Sequence, residues 1–204
     1  MGVSEPVTHA RRVLRVLQGE GAHGLALLGA CLLLVLPALG ADPLRSLLRY
    51  DRVGLAEGQW WRLLTAHVVH LDLRHALVNA LGLALLWVLF VRDYLARQWA
   101  VILLASIAAI DAGLWLNHST LLWYVGSSGA LHGIMAAGVL ARLRRHEREG
   151  WVLAGLLVVK LAYEQVWGAL PFSGSDAVIV SAHLYGVLGG ALAAAFLRAP
   201  AAPL

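Results

Sequence analysis

The stretch Tyr124-Val125-Gly126-Ser127-Ser128-Gly129-Ala130-Leu131-His132-Gly133 decides the fold, because it opens a long apolar run. Two serines and a histidine stand where a membrane helix is predicted to begin, and polar side chains in such segments are costly and commonly functional. A helix start also leaves backbone N–H groups free to stabilise a developing negative charge. The stretch therefore predicts one of two things: Ser128 as a nucleophile served by a base, or Gly126, Gly129 and Gly133 as a close-packing face.

The chain as a whole is strongly apolar. Of its 204 residues, 60% are hydrophobic and 14% are charged, and the mean hydropathy is +0.72. A soluble domain of this length is more polar, whereas a bundle of membrane helices has this composition. A net charge of +4 could indicate nucleic-acid binding, but a chain made of membrane helices has no soluble basic surface for it. The arginines are therefore predicted to set membrane topology. The single cysteine, Cys31, excludes an internal disulfide.

Apolar runs of about 20 residues span a bilayer, and their number here predicts an all-α membrane protein with six transmembrane helices. The predicted spans are residues 24–39, 75–91, 99–116, 127–141, 151–167 and 177–197. The predicted organisation is a segment 1–23, a membrane domain 24–198 and a tail 199–204. Pro37 is expected to end the first helix.

The arginines lie mainly in alternate segments, which predicts cytoplasmic termini and a multi-pass protein of a bacterial-type inner membrane. The predicted inner segments contain Arg11, Arg12, Arg15, Arg92, Arg97, Arg142, Arg144, Arg145, Arg148 and Arg198. The segment 40–74 is the exception, since it contains arginines although it is predicted to lie outside; acidic residues partly balance their charge. It is long enough to fold on its own as a first outer loop.

Several polar residues precede and enter the second span. His75 and Asn79 are four residues apart and share a helix face, so they could donate hydrogen bonds to an oxyanion or join two helices. His67, His70 and His75 could also suggest a metal site. Their spacing does not place three ligands and a carboxylate on one helical face, so no metal and no cofactor is predicted.

The sixth span contains a candidate base beside a close-packing seam. Gly186 and Gly190 form a small-xxx-small pair, and His183 precedes them. In the six-span topology, Ser128, His183 and His75 all lie within about 10 Å of the outer boundary, given a rise of ~1.5 Å per residue. A nucleophile, a base and oxyanion donors thus converge on one layer. No Asp or Glu is obviously placed behind His183, which favours a Ser-His dyad over a triad.

Together these residues resemble the rhomboid family of intramembrane serine proteases. The matching motifs are Trp61-Arg62, the pattern His70, His75, Asn79, the Gly-x-Ser-Gly of Gly126 to Gly129, and the Ala-His-x-x-Gly-x-x-x-Gly of Ala182 to Gly190. The resemblance implies a rhomboid-like bundle. It also implies that Ser128 is the nucleophile, His183 the base, and that His75, Asn79 and the Ser128 N–H form the oxyanion hole, with Gly126, Ser127 and Gly129 around it.

One position departs from the commoner rhomboid pattern. Where many members carry an aromatic ring four residues after the serine, this chain has His132. The short length and the Ser-Gly-Ala-Leu-His-Gly string resemble the rhombosortase branch, which is associated with proteins bearing a C-terminal Gly-Gly motif, an apolar helix and a basic end. His132 is expected to pack or hydrogen-bond near His183, the alternative being a second base.

Three further charged residues fall inside predicted spans. Lys160 and Glu164 are four residues apart and are predicted to form an ion pair, either structural or in contact with substrate. Asp111 has no partner that the sequence identifies.

The predicted function is an intramembrane serine protease that cleaves near the outer end of substrate transmembrane segments, in particular C-terminal Gly-Gly tails. Its partners would be membrane proteins with such a tail, within the lipid bilayer. The alternatives are a general rhomboid protease of single-span proteins and a non-proteolytic rhomboid-like protein that binds membrane helices. A transporter would show corresponding broken helices in two halves, and no such symmetry is visible.

Overall fold

The computed structural model describes residues 22–40, 42–169 and 179–197. These residues are mainly helical, as predicted. The helices are α1 (Ala22–Val35), α2 (Asp42–Leu48), α3 (Arg52–Ala56), α4 (Arg62–Thr65), α5 (Leu73–Phe90), α6 (Ala96–Asn117), α7 (Ser128–Arg144), α8 (Arg148–Trp167) and α9 (Ser181–Phe196). A short antiparallel pair joins β1 (Tyr50–Asp51) to β2 (Trp123–Tyr124). The predicted tail 199–204 and nearly all of the predicted segment 1–23 lie outside the described residues.

The six long helices α1 and α5 to α9 coincide with the six apolar runs. The first α-helix ends at Val35, and a 3-10 turn that contains Pro37 follows, as expected of a residue without a backbone N–H. By length and composition, α5 and α6 could each cross a membrane, and the apolar helical stretches His23–Leu39 and Val180–Phe196 are shorter. The number of spans therefore stays a prediction, while the helical bundle itself is confirmed.

Helix α9 packs closely against both α6 and α7, and glycine makes this possible. A Cβ added at Gly186 would overlap the backbone oxygen of Gly129, and one at Gly190 would overlap that of Gly133. The predicted small-residue face of α9 is therefore confirmed. The close-packing interpretation of Gly129 and Gly133 is also correct, and it coexists with the polar residues between them.

The segment between α1 and α5 folds around two arginines. The buried Arg62 guanidinium donates to the backbone oxygens of Ser46 and Arg49, at 2.8 and 2.9 Å. Arg52 donates to the oxygens of Leu114 and Trp115 at the end of α6, both at 2.9 Å. These bonds satisfy carbonyls that a helix end or a loop leaves unpaired. The Trp61-Arg62 motif thus organises this segment, with Trp61 Nε1 donating to the Leu47 oxygen at 3.4 Å.

At the opposite end of α7 a cluster of charges joins α5, α7 and α8. Asp93 lies 3.1 Å from Arg142 and 2.6 Å from Arg145, and Glu147 lies 2.6 Å from Arg145. Burial acts to raise the pKa of Glu147, but hydrogen bonds from Arg145 and Arg142 outweigh it and hold that pKa below its ordinary value. This end of the bundle is therefore tied together by paired charges.

Candidate active site

Ser128 and His183 meet at the beginnings of two packed helices. Ser128 is the first residue of α7, and His183 lies in the first turn of α9. The Ser128 Oγ is 2.9 Å from the His183 Nε2, within hydrogen-bond distance. His183 is buried, whereas Ser128 is only half-buried. The structure thus brings the predicted nucleophile and the predicted base together with the geometry that proton transfer needs.

The loop before Ser128 holds the serine at the helix start. Gly126 has a φ of +119°, which L side chains rarely adopt, and its N–H donates to the Ala66 oxygen at 2.9 Å. The Tyr124 hydroxyl donates to the Gly126 oxygen at 2.8 Å. Burial, and to a lesser extent the Asp111 carboxylate, raises the pKa of Tyr124, so this hydroxyl remains a donor. The positive φ at position 126 thus explains why this turn has a glycine there.

His75 and Asn79 lie on α5 beside this loop. A Cβ added at Gly126 would be 3.0 Å from the His75 Cε1, so the His75 ring faces the turn before Ser128. Asn79 is buried, and its Nδ2 donates to the His75 backbone oxygen at 2.9 Å. The structure therefore places His75 at the site. One amide N–H of Asn79 is engaged within its own helix, and the other has no partner among the residues that the structure describes.

His70 supports the loop from the other side. Its Nε2 is 3.2 Å from the Ser127 Oγ, and its ring meets His75 edge-on with centroids 5.1 Å apart. Burial, followed by the nearby His75, lowers the pKa of His70 to about 4. His70 is therefore neutral near pH 7, and its hydrogen bond with Ser127 fixes the residue that precedes Ser128.

A carboxylate stands behind His183, contrary to the sequence expectation. Glu164 Oε2 is 2.8 Å from His183 Nδ1, and both side chains are buried. The expectation that no Asp or Glu is placed behind His183 is therefore wrong. It failed because Glu164 lies on α8, and only the packing of α8 against α7 and α9 brings it to the ring. The predicted Lys160–Glu164 ion pair is confirmed, with Nζ 2.6 Å from Oε1.

His132 covers one face of the base. Its ring stacks on that of His183 with centroids 4.2 Å apart and planes at 18°. Its Nδ1 lies 2.7 Å from the Ser128 backbone oxygen, one helical turn before it. The expectation that His132 packs near His183 is confirmed. Its ring therefore takes the position of the aromatic ring that the commoner rhomboid pattern has there.

Sequence reasoning missed one buried pair beneath this loop. His67 Nε2 lies 3.2 Å from the Asp111 carboxylate, and both side chains are buried. Asp111 on α6 therefore has a partner, and the pair joins α6 to the residues that precede α5. The available indication in the sequence was that a histidine and an aspartate in an apolar chain are costly to bury unless they are paired.

Three of these side chains also satisfy the distance requirement for a metal site. Ligand atoms of His132, Glu164 and His183 lie within 4.8 Å of one another. However, both His183 nitrogens and both Glu164 oxygens already have partners, and one partner is the Lys160 ammonium. A cation would have to displace that ammonium. We therefore interpret the cluster as a proton-transfer site.

The sequence matches a known family over most of its length. Residues 57–200 match the rhomboid domain, which covers Ser128, His183 and the other residues described above. The chain therefore belongs to the rhomboid family, a class of intramembrane serine proteases whose members are multi-pass membrane proteins.

Two relatives come from Bacillus subtilis (strain 168). The chain is 26% identical over 157 residues to the putative rhomboid protease YdcA, and the match covers 77% of each protein. It is 28% identical over 150 residues to rhomboid protease GluP, covering 72% of this chain and 28% of GluP. The rhomboid resemblance is thus confirmed at the level of the family, and the rhombosortase branch remains a proposal.

Proposed function

We propose that this protein is an intramembrane serine endopeptidase in which Ser128 is the nucleophile and His183 the general base. The observation that carries the proposal is the 2.9 Å contact between Ser128 Oγ and His183 Nε2 at the start of two packed membrane helices. Binding of membrane helices without cleavage does not require a hydrogen bond between a serine and a histidine. The non-proteolytic alternative is therefore disfavoured.

The reaction follows from these two side chains. As Ser128 Oγ bonds to the carbonyl carbon of the scissile peptide, its proton passes to His183 Nε2 and the carbonyl electron pair moves to oxygen. The protonated His183 then gives that proton to the leaving amine nitrogen, and the C–N bond breaks. A water molecule hydrolyses the acyl-enzyme by the same steps, and Ser128 leaves as the hydroxyl. The net reaction consumes one water and releases an acid and an amine.

The negative charge on the carbonyl oxygen needs donors close to Ser128. The Ser128 N–H is unpaired within α7 because it lies in the first turn. His75 beside Gly126 and the second amide N–H of Asn79 would complete the oxyanion hole. Loss of one such donor costs about 10²–10³-fold in rate.

The proposed substrates are membrane proteins with a C-terminal tail of a Gly-Gly motif, an apolar helix and a basic end. A helix in lipid has all its backbone hydrogen bonds satisfied, so unwinding it for cleavage is costly. Glycine weakens a helix by up to ~1 kcal/mol relative to alanine, and without a Cβ it can approach Ser128 closely. The basic end would remain cytoplasmic and orient the tail, with the protease site open to the outer side.

The test is co-expression with a reporter that carries a Gly-Gly tail. We expect cleavage by the wild-type protein and none by the Ser128→Ala variant, which should still insert into the membrane. Replacing the two reporter glycines with leucine should block cleavage more than shortening the apolar helix by two residues does. Equal cleavage of the leucine reporter would contradict the Gly-Gly specificity and leave a general rhomboid protease.

A further inference from the structure

Helix α8 contributes a carboxylate to the catalytic base through an ion pair of its own. We propose that Glu164 is a positioning residue that fixes the tautomer of His183, and that Lys160 fixes Glu164. This inference rests on the proposed function, and it adds helix α8 to the site. Its basis is the chain of contacts from Lys160 Nζ to Glu164 Oε1 at 2.6 Å, and from Glu164 Oε2 to His183 Nδ1 at 2.8 Å.

The tautomer of His183 decides whether it can act as a base. A neutral imidazole carries one proton, on either Nδ1 or Nε2, and the partner of one nitrogen sets the state of the other. A carboxylate has no proton to give, so Glu164 requires the proton to be on Nδ1. The Nε2 lone pair then faces Ser128 Oγ and can accept the serine proton. Glu164 also stabilises the imidazolium that forms during the reaction.

The contacts around the ring leave it little freedom to turn. Its two nitrogens are held by Ser128 and Glu164, and His132 stacks on one face. The side chain of Glu164 is only 1% exposed, so solvent does not compete with His183 for the carboxylate. Three helices therefore fix the His183 ring, since Ser128 and His132 lie on α7, His183 on α9 and Glu164 on α8.

Lys160 has two physical roles in this arrangement. It compensates a carboxylate that would otherwise be an isolated charge in an apolar helix bundle, which is costly. It also occupies the second oxygen of Glu164, so that the first one remains directed at His183. The side chain of Lys160 is 30% exposed, so its removal would disturb packing less than removal of the buried Glu164.

This double role predicts an unusual pattern for amide variants. In Glu164→Gln, the Lys160 ammonium requires the amide oxygen on its own side, because two donors cannot pair. The amide NH₂ is then directed at His183 Nδ1, which forces the proton onto Nε2 and disables the base. If Lys160 is also replaced by methionine, the amide is free to turn its oxygen toward Nδ1. A second substitution should therefore restore activity that the first one removed.

The experiment measures the rate at which a fluorophosphonate probe labels Ser128 in the purified full-length protein. The probe loses fluoride as Ser128 Oγ bonds to phosphorus, so it needs an active serine and no knowledge of the natural substrate. We expect Glu164→Gln to label about 10²–10⁴-fold more slowly than the wild type, in the range known for wrong-tautomer variants of serine protease triads. Lys160→Met should lose less than about tenfold. The double variant should label at least about tenfold faster than Glu164→Gln.

The matched control is Glu149→Gln, the same exchange on the same helix. Glu149 is exposed and pairs with Arg142, at 3.2 Å, far along α8 from the site. This variant should label at the wild-type rate. Wild-type labelling by Glu164→Gln, or a double variant no faster than Glu164→Gln, would overturn the inference while the proposed function stands. A wild-type protein that is never labelled would remove the proposed function, and this inference with it.

A second measurement uses the wild-type protein alone, so it does not depend on whether a variant folds. In the wild-type protein, the ¹⁵N NMR shifts of the His183 ring report which nitrogen carries the proton. The inference requires protonated Nδ1 and unprotonated Nε2 near pH 7. A proton on Nε2 would overturn it even if every variant aggregated.

Discussion

At the scale of single residues, the proposed base His183 has a partner at each ring nitrogen and on one ring face. Ser128 and Glu164 meet its two nitrogens, and the ring of His132 stacks on its face. Aromatic stacking contributes about 0.5–1.5 kcal/mol beyond area burial, which is up to a factor of ten in a conformational equilibrium. If His132 acts only through this stacking contact, its loss should slow the reaction of Ser128.

The first residue-scale prediction concerns His132. His132→Ala opens a space beside His183 that lets the ring tilt, and we expect labelling of Ser128 to slow by about tenfold. His132→Phe keeps a flat ring in the same place, and its rate should stay within about threefold of the wild type. The measurement is the fluorophosphonate labelling rate of both variants. A Phe variant as slow as the Ala variant would show that His132 acts through its nitrogens instead.

Ser128 and His183 could be predicted from the sequence because each lies in a dense motif of glycines and polar residues within an apolar run. Glu164 could not be identified as the partner of His183. Its pairing with Lys160 four residues away already explains a buried carboxylate, and the sequence does not show that a second oxygen remains free. The partnership depends on the packing of α8, which local patterns do not encode.

At the scale of helices, the site depends on the seam between α7 and α9. Gly129 and Gly186 let the two backbones approach closely enough for Ser128 and His183 to meet. Hydropathy predicted the six long helices within a few residues. The short helices α2 to α4 were not predicted, because side-chain bonds from Arg62 and Arg52 to distant carbonyls stabilise them.

The seam predicts opposite outcomes for two glycine substitutions. Gly186→Ala places a methyl group into the Gly129 backbone oxygen, so the helices must separate. Overpacking of this kind costs about 1–3 kcal/mol, and the proton transfer should be lost with it. Gly155→Ala on α8 is the control, since a Cβ there meets nothing within 4 Å. Thermal unfolding in detergent should show a lower midpoint for Gly186→Ala and no loss for Gly155→Ala. Equal midpoints would contradict a tight seam.

At the scale of the whole molecule, the bundle has two different ends. One end carries the hydrogen-bonded histidines and the loop before Ser128, and the other carries the paired arginines and acids around Asp93. The histidines were predicted to converge on one layer, and His75 and His183 do lie beside the serine loop. Because His70 is buried and its pKa is lowered, we expect the stability of that end to depend on pH.

The sign of this pH dependence follows from the His70 pKa. Burial lowers that pKa to about 4 in the folded protein, against an ordinary value of 6.5. Protonation therefore favours the unfolded chain, so the folding free energy is intact above pH 6.5 and falls as the pH drops from 6.5 to 4. The loss is of order 3 kcal/mol over that window. We expect the unfolding midpoint of the wild type to fall from pH 7 to pH 5, and that of His70→Asn to fall less. Parallel curves would show that His70 does not control this end.

If Ser128 is a nucleophile activated by His183, a reagent for active serines should modify Ser128 and should need His183 to do so. The purified protein is treated with a fluorophosphonate probe, digested and mapped by mass spectrometry, beside the His183→Ala variant. We expect a single adduct on Ser128 in the wild type and none in the variant. An adduct on the neighbouring Ser127, or equal labelling of Ser128 without His183, would contradict it.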